Sequence, residues 1–180
     1  MYFKESGKIN TERTLELAVK VAEERNIRNI VVASGSGSTA KFLKDIRDKN
    51  VICVTLATGS KEPGKNKMSK AVHKELTDSG MKVLTTTHVL SGAERGFSKK
   101  FGGISPIEIM AYTLKMFGQG TKVCVEISVM ALDAGLIPYG EPIIAIGGSS
   151  QGADTAVIIT PNHANNILDT KINEIICKPI

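Results

Sequence analysis

A chain of 180 residues holds one domain with a substantial core and is short for two. Its 42% apolar and 23% charged residues exclude disorder as the default, and no apolar run is long enough to span a bilayer. The net charge of +5 attracts anions. With no tryptophan and 4% aromatics, the stacking platform for single-stranded nucleic acid is thin, and no nucleic-acid partner is expected.

The charged start, Met1 to Lys8, lacks the apolar stretch of a signal peptide and predicts a cytoplasmic protein with no membrane partner. Asn10 or Thr11 caps a helix carrying Leu15, Leu17, Ala18, Val21 and Ala22 at helical spacing. Asn29 to Ala33 reads as a buried strand, Ser38 to Asp48 as a helix, and Val51 to Leu56 as the second strand. Lys67 to Ser79 is helical, with Gly80 as its stop, and Met81 to Thr87 is the third strand. Thr87 to Ile104 has four glycines and no sustained period; it is a lid or binding loop unless it is mobile or hides a short helix. Ser105-Pro106-Ile107-Glu108 opens a helix with a capping box and proline in its first turn. Thr121 to Leu136 reads as helix, and Pro142 to Ile146, Thr155 to Thr160 and Ile172 to Cys177 as three strands. Alternating strands and helices predict a parallel sheet covered on both faces. Gly147 to Asp154 is too short for a crossover helix, so the sheet is mixed, with an antiparallel strand near the C-terminus. No linker divides residues 1–180, which read as a single domain.

The strongest chemical signal is Ser34-Gly35-Ser36-Gly37-Ser38-Thr39-Ala40, between a strand and an expected helix. Its glycines let the backbone approach a ligand, and the helix start offers unpaired N–H groups to a phosphate. Gly35, Gly37 and Ala40 fit a dinucleotide fingerprint, but the second strand ends without the acid that binds a ribose diol, which argues against NAD. The Gly-Lys-Ser/Thr ending of an ATP-binding P-loop is also missing. A single phosphate, a sugar phosphate or a mononucleotide stays open. Gly147-Gly148-Ser149-Ser150-Gln151-Gly152-Ala153-Asp154-Thr155 is a second such loop. Together with Thr58-Gly59 and Thr86-Thr87-His88, these loops are expected to converge at the carboxyl edge of the sheet. Asp154 either binds a ligand hydroxyl or caps its own loop.

The lysine group Lys61, Lys65, Lys67, Lys70 and Lys74 reads as a solvated loop running into an exposed helix face; the alternative is that one or two of them reach an anionic ligand. Glu126 and Asp133 interrupt an apolar helix and are expected to face solvent or a basic partner. His163 falls in a turn cluster and His73 on a surface. Cys53, Cys124 and Cys177 read as buried reduced thiols, with no metal-ligand spacing among them. No catalytic residue can be assigned.

Three segments carry a resemblance: Ile30 to Ala40 (Ile-Val-Val-Ala-Ser-Gly-Ser-Gly-Ser-Thr-Ala), Val129 to Pro138, and Ile146 to Ala156. With them the chain resembles the C-terminal α/β domain of pyruvate kinase. It is more similar still to small stand-alone proteins of that type, mostly archaeal and bacterial. The resemblance implies a three-layer α/β/α sandwich with a mixed, mainly parallel sheet. In pyruvate kinases the loop matching Ser34 to Ala40 binds a phosphate of a regulatory sugar bisphosphate. Catalysis there lies in a barrel domain with no counterpart here, so pyruvate kinase activity is not expected. The stand-alone family implies flavin mononucleotide (FMN) at the same edge, and no settled activity.

The expectation is a binding protein for a phosphate-bearing small molecule, with FMN favoured. The alternative is a flavin-dependent oxidoreductase, or an enzyme acting on a phosphorylated metabolite, that draws on His88, Glu94 or Arg95. The ligand-holding residues would be Ser34, Gly35, Ser36, Gly37, Ser38, Thr39, Thr58, Gly59, Thr87, His88, Gly147, Gly148, Ser149, Gly152, Asp154 and Thr155. A homo-oligomer is expected on base rates alone.

Overall fold

The computed structural model describes residues 1–180. Strand β1 (Tyr2–Phe3) and a 3-10 turn at Lys8–Asn10 lead into helix α1 (Thr11–Glu24). There follow β2 (Asn29–Ala33), a 3-10 turn at Ala40–Leu43, β3 (Asn50–Val54), α2 (Lys70–Asp78) and β4 (Lys82–Leu84). Three helices come next: α3 (Ala93–Phe101), α4 (Pro106–Lys115) and α5 (Gln119–Asp133). The chain ends with β5 (Ile143–Gly147), β6 (Thr155–Thr160), a 3-10 segment at Ala164–Asp169 and β7 (Lys171–Pro179).

The sheet has the order β1-β7-β6-β5-β2-β3-β4. Every neighbouring pair is parallel except β5–β6 and β6–β7, so β6 alone runs against the others. That is the mixed sheet expected from the short β5–β6 connection. Period-two alternation then sorts each strand's side chains between the two faces. Ile30 and Val32 pack with α1, α2 and the Ala40–Leu43 turn, while Val31 packs beneath α5. Each fully buried aliphatic side chain contributes about 1.5–3 kcal/mol. The result is the three-layer α/β/α sandwich.

Twelve of the fifteen residues of α5 are buried, which requires cover on both sides. The sheet lies on one side; on the other, Val129 packs with Leu90, Ala111 and Ile167. The capping box at α4 forms as the sequence predicts, with Ser105 and Glu108 exchanging hydrogen bonds. All three cysteines are buried and free. Burial pushes the Cys53 thiol up to about 12, which makes it a poor nucleophile.

Three expectations need correction. Ser38–Asp48 is not an α-helix. Only Ala40–Leu43 is helical, as a 3-10 turn, because the Ser34 hydroxyl accepts from the N–H groups of Thr39 and Ala40 and tightens the chain there. Of the readings open for Thr87–Ile104, the structure gives the hidden short helix, α3, at its middle. β1 was not expected; it is two residues long and bonded to β7, with no period to announce it. The third and fourth strands of the sheet edge, β3 and β4, stop short of their expected ends at Leu56 and Thr87. No helix is long and apolar enough to cross a membrane.

Candidate functional site

In a parallel α/β sheet the strands' carboxyl ends and the helices' amino ends meet at one edge. Here a cavity of about 970 Å³ opens at that edge. Its walls come from the Ser34–Thr39 loop, the starts of α1 and α5, the end of β3, and the Gly148–Gly152 loop. That volume lies in the range of small-molecule sites.

The Ser34–Thr39 loop is held from within. Ser34 N–H donates to Val54 O, and Gly37 N–H to Ser34 O. The N–H groups of Gly35, Ser36 and Ser38 make no hydrogen bond within the chain. The Ser36 and Ser38 hydroxyls lie 3.1 Å apart. Free N–H groups and paired hydroxyls suit an anion. The field of a long helix expected behind this loop is absent, because the turn there is only four residues. The helix ends at the cavity belong instead to α1 and α5, which contribute Thr11, Glu12 and Gln119 to its wall.

On the α5 side lies a buried charge cluster. Glu126 is 2% exposed. One carboxylate oxygen accepts from Lys122 Nζ at 2.7 Å and faces His88 Nδ1 at 3.2 Å. The other accepts from Leu90 N–H at 3.0 Å and from the Ser91 hydroxyl at 3.4 Å. His88 Nε2 lies 3.0 Å from the main-chain oxygen of Thr55. A carbonyl can only accept, and so can a carboxylate, so the two contacts together favour the form of His88 with both ring nitrogens protonated, the imidazolium. The Glu126 bond raises the His88 pKa against the opposing effect of burial. Burial pushes the Glu126 carboxyl up, but the His88 bond and the Lys122 charge outweigh it and hold the pKa below its ordinary value. With His88 protonated, Lys122 and His88 against Glu126 leave one net positive charge in the cavity wall.

The structure brings Ser34, Gly35, Ser36, Ser38, Thr39, His88, Gly148, Ser149 and Gly152 to this cavity. Gly37, Thr58, Gly59, Thr87, Gly147, Asp154 and Thr155 do not line it. Gly37 has φ of +89° and faces inward, where an added Cβ would collide with Val72 of α2. Its replacement therefore disturbs the fold and cannot isolate ligand affinity. Gly37→Ala is expected to destabilise by about 2 kcal/mol, from left-handed backbone and overpacking, read as a lowered urea midpoint. Thr58 and Gly59 sit in the projecting 57–67 loop, and Thr87 is exposed beyond the rim. Gly147 lets α5 approach, since a Cβ there would meet Gly120 O at 2.6 Å.

Asp154 takes the structural role of its two alternatives. It is fully buried and accepts from Gly7 N–H at 2.8 Å, Ser149 N–H at 3.1 Å and the Thr155 hydroxyl at 2.8 Å. It thereby pins the N-terminal segment to the second glycine loop. Asp154→Asn keeps the shape but turns acceptor into donor at one position. It is expected to cost about 1.5–3 kcal/mol in chemical unfolding.

Lys122, Thr55, Ser91 and Gln119 were not recognised from sequence as site residues, and of the two settings expected for Glu126 the structure gives the basic partner, Lys122 with His88, rather than solvent. The available signal was the Lys122–Glu126 spacing of four inside an apolar helix. Its order is the reverse of the one the helix dipole favours, so it points to a partner outside the helix. Of the lysine group, Lys67 lines the cavity, while Lys65 pairs with Glu62 and Lys74 with Asp78. Glu94 and Arg95 lie outside the cavity wall.

The family model described as pyruvate kinase, alpha/beta domain, matches residues 12–159. Two solved pyruvate kinase structures from Cryptosporidium parvum are similar to this chain. One is 16% identical with a TM-score of 0.43, covering 84% of this chain and 23% of its own. The other is also 16% identical, with a TM-score of 0.38, covering 76% and 20%. The chain thus spans less than a quarter of the length of either.

Proposed function

The chain belongs to the pyruvate kinase α/β domain family, and on that premise we propose that it is a single-domain, cytoplasmic binding protein for a phosphate-bearing small molecule, with FMN as the favoured ligand. One observation carries this reading. The cavity joins a loop with three unengaged N–H groups to a buried cluster of net positive charge. Lys67 and Lys8 add exposed charge at its rim. Phe42, Leu56 and Val123 supply apolar wall, which suits a ligand with one anionic end and one flat apolar end. No ribose-diol acid ends β3, consistent with a mononucleotide rather than a dinucleotide.

Binding is favoured over catalysis by the state of His88. Both its nitrogens are engaged, so it has no free site to take a proton. An oxidoreductase reading would have to rest on the flavin alone. The test is the absorption spectrum of natively purified protein, followed by mass spectrometry of any released ligand. Flavin bands and FMN mass are expected. If added FMN leaves the protein's spectrum unchanged and inorganic phosphate does not compete for the cavity, the reading fails.

A further inference from the structure

We propose that the outward face of α3 and α4 is an interface for a second copy of this chain. Helix α4 is apolar on two sides. Ile107, Met110, Ala111 and Leu114 turn inward to the small core shared with Leu90 and Val129. Ile109, Tyr112 and Met116, at spacings of three and four, turn outward and are exposed. Helix α3 has no buried residue, and its Phe97 and Phe101 rings lie side by side, 6.1 Å between centroids. The Ser98 hydroxyl bonds to Glu108, which ties α3 to the start of α4. Ile104 and Phe117 flank the same two helices.

These seven side chains are between 54% and 83% exposed. A large side chain of this kind presents on the order of 100 Å² when more than half uncovered. Together they offer roughly 700–800 Å², close to the ~800 Å² each partner gives a standard interface. Monomers seldom leave so much apolar surface in one place. The aromatic residues, methionine and isoleucine fit a protein partner, with Lys100 and Lys115 lying over the rings of Phe101 and Tyr112, 5.6 and 4.2 Å from their centroids. A two-fold interface sets the same patch of both copies against itself, and an apolar patch is complementary to its own copy.

The test is sedimentation velocity on the intact chain over a dilution series. Wild type is expected to sediment as a dimer or a higher assembly built on it. A Tyr112→Glu/Met116→Glu variant is expected to raise the dissociation constant at least about 100-fold. Phe97→Glu/Phe101→Glu gives an independent reading from α3. All four side chains are already exposed, so circular dichroism should match wild type, and the unfolding midpoints of variants and wild type should converge on dilution as the wild type loses its partner. A wild type that is monomeric throughout overturns the proposal. So does an assembly that survives in both variants, which would place the interface elsewhere. A monomer that binds anionic vesicles through these side chains would assign the face to a lipid surface and overturn it equally.

Discussion

Replacing Glu126 with alanine is expected to remove about 3–5 kcal/mol of folding stability, because it leaves buried charge without its counterion. Lys122 and Glu126 are 7% and 2% exposed at their side chains. Without the carboxylate, Lys122 faces the His88 imidazolium directly, and the Leu90 N–H loses its acceptor. For a domain with a total stability of about 5–15 kcal/mol, that loss is a large share. Glu126→Gln keeps an acceptor for Leu90 but not the charge, and should fall between the two.

The same cluster makes a prediction with pH. His88 has its pKa raised above the ordinary 6.5 in the folded chain. Its contribution is full below 6.5 and is lost as pH rises through the raised value. Glu126 has its pKa lowered below the ordinary 4.5. Its contribution is full above 4.5 and is lost as pH falls through the lowered value. The stability difference between wild type and Glu126→Ala should therefore be greatest between about pH 4.5 and 6.5 and shrink on either side. Urea unfolding at a series of pH values measures it. A flat difference of less than about 1 kcal/mol would mean the cluster is not ionised as described.

Ser38→Glu is expected to weaken FMN binding by about 100-fold, near 2.7 kcal/mol. The side chain is exposed and bonded only to Ser36, so the substitution adds a negative charge without disturbing packing. A carboxylate beside the loop's free N–H groups occupies the place proposed for phosphate and repels it. Flavin fluorescence titration reads the affinity, and an unchanged unfolding midpoint reads the fold. If affinity is retained, the phosphate does not sit at this loop.

Much of the architecture is legible in local chemistry. The β-branched runs at Asn29–Ala33 and Thr155–Thr160, and the capping box at Ser105, each specify an element without outside help. The short link from Gly147 to Asp154 alone forces the antiparallel turn. What escapes the sequence is decided at a distance. The Ser34 hydroxyl unmakes the helix after its own loop, and Gly37 is held by Val72 on α2, not by a ligand. At the cavity, the serine–glycine loop announces itself through composition. The charge beside it does not, because Lys122 and Glu126 look like surface residues until His88 is folded against them from 34 and 38 positions away. Polar residues in an apolar helix say that something satisfies them, not what.

The order of the strands has a kinetic consequence. The central strand β2 has β3 on one side, joined through residues 34–49, and β5 on the other, with Ile30 opposite Ile144. During synthesis β2 and β3 can pair early, but the second edge of β2 stays open until the ribosome has added the roughly ninety residues from β3 to the end of β5, about 5–20 s at ordinary elongation rates. Through that interval Ile30, Val31 and Val32, all fully buried in the finished molecule, border an unpaired hydrogen-bonding edge. Such an edge invites pairing with a neighbouring nascent chain. Slowed translation lengthens the exposure, so the yield of folded chain suffers before the stability of the finished fold does.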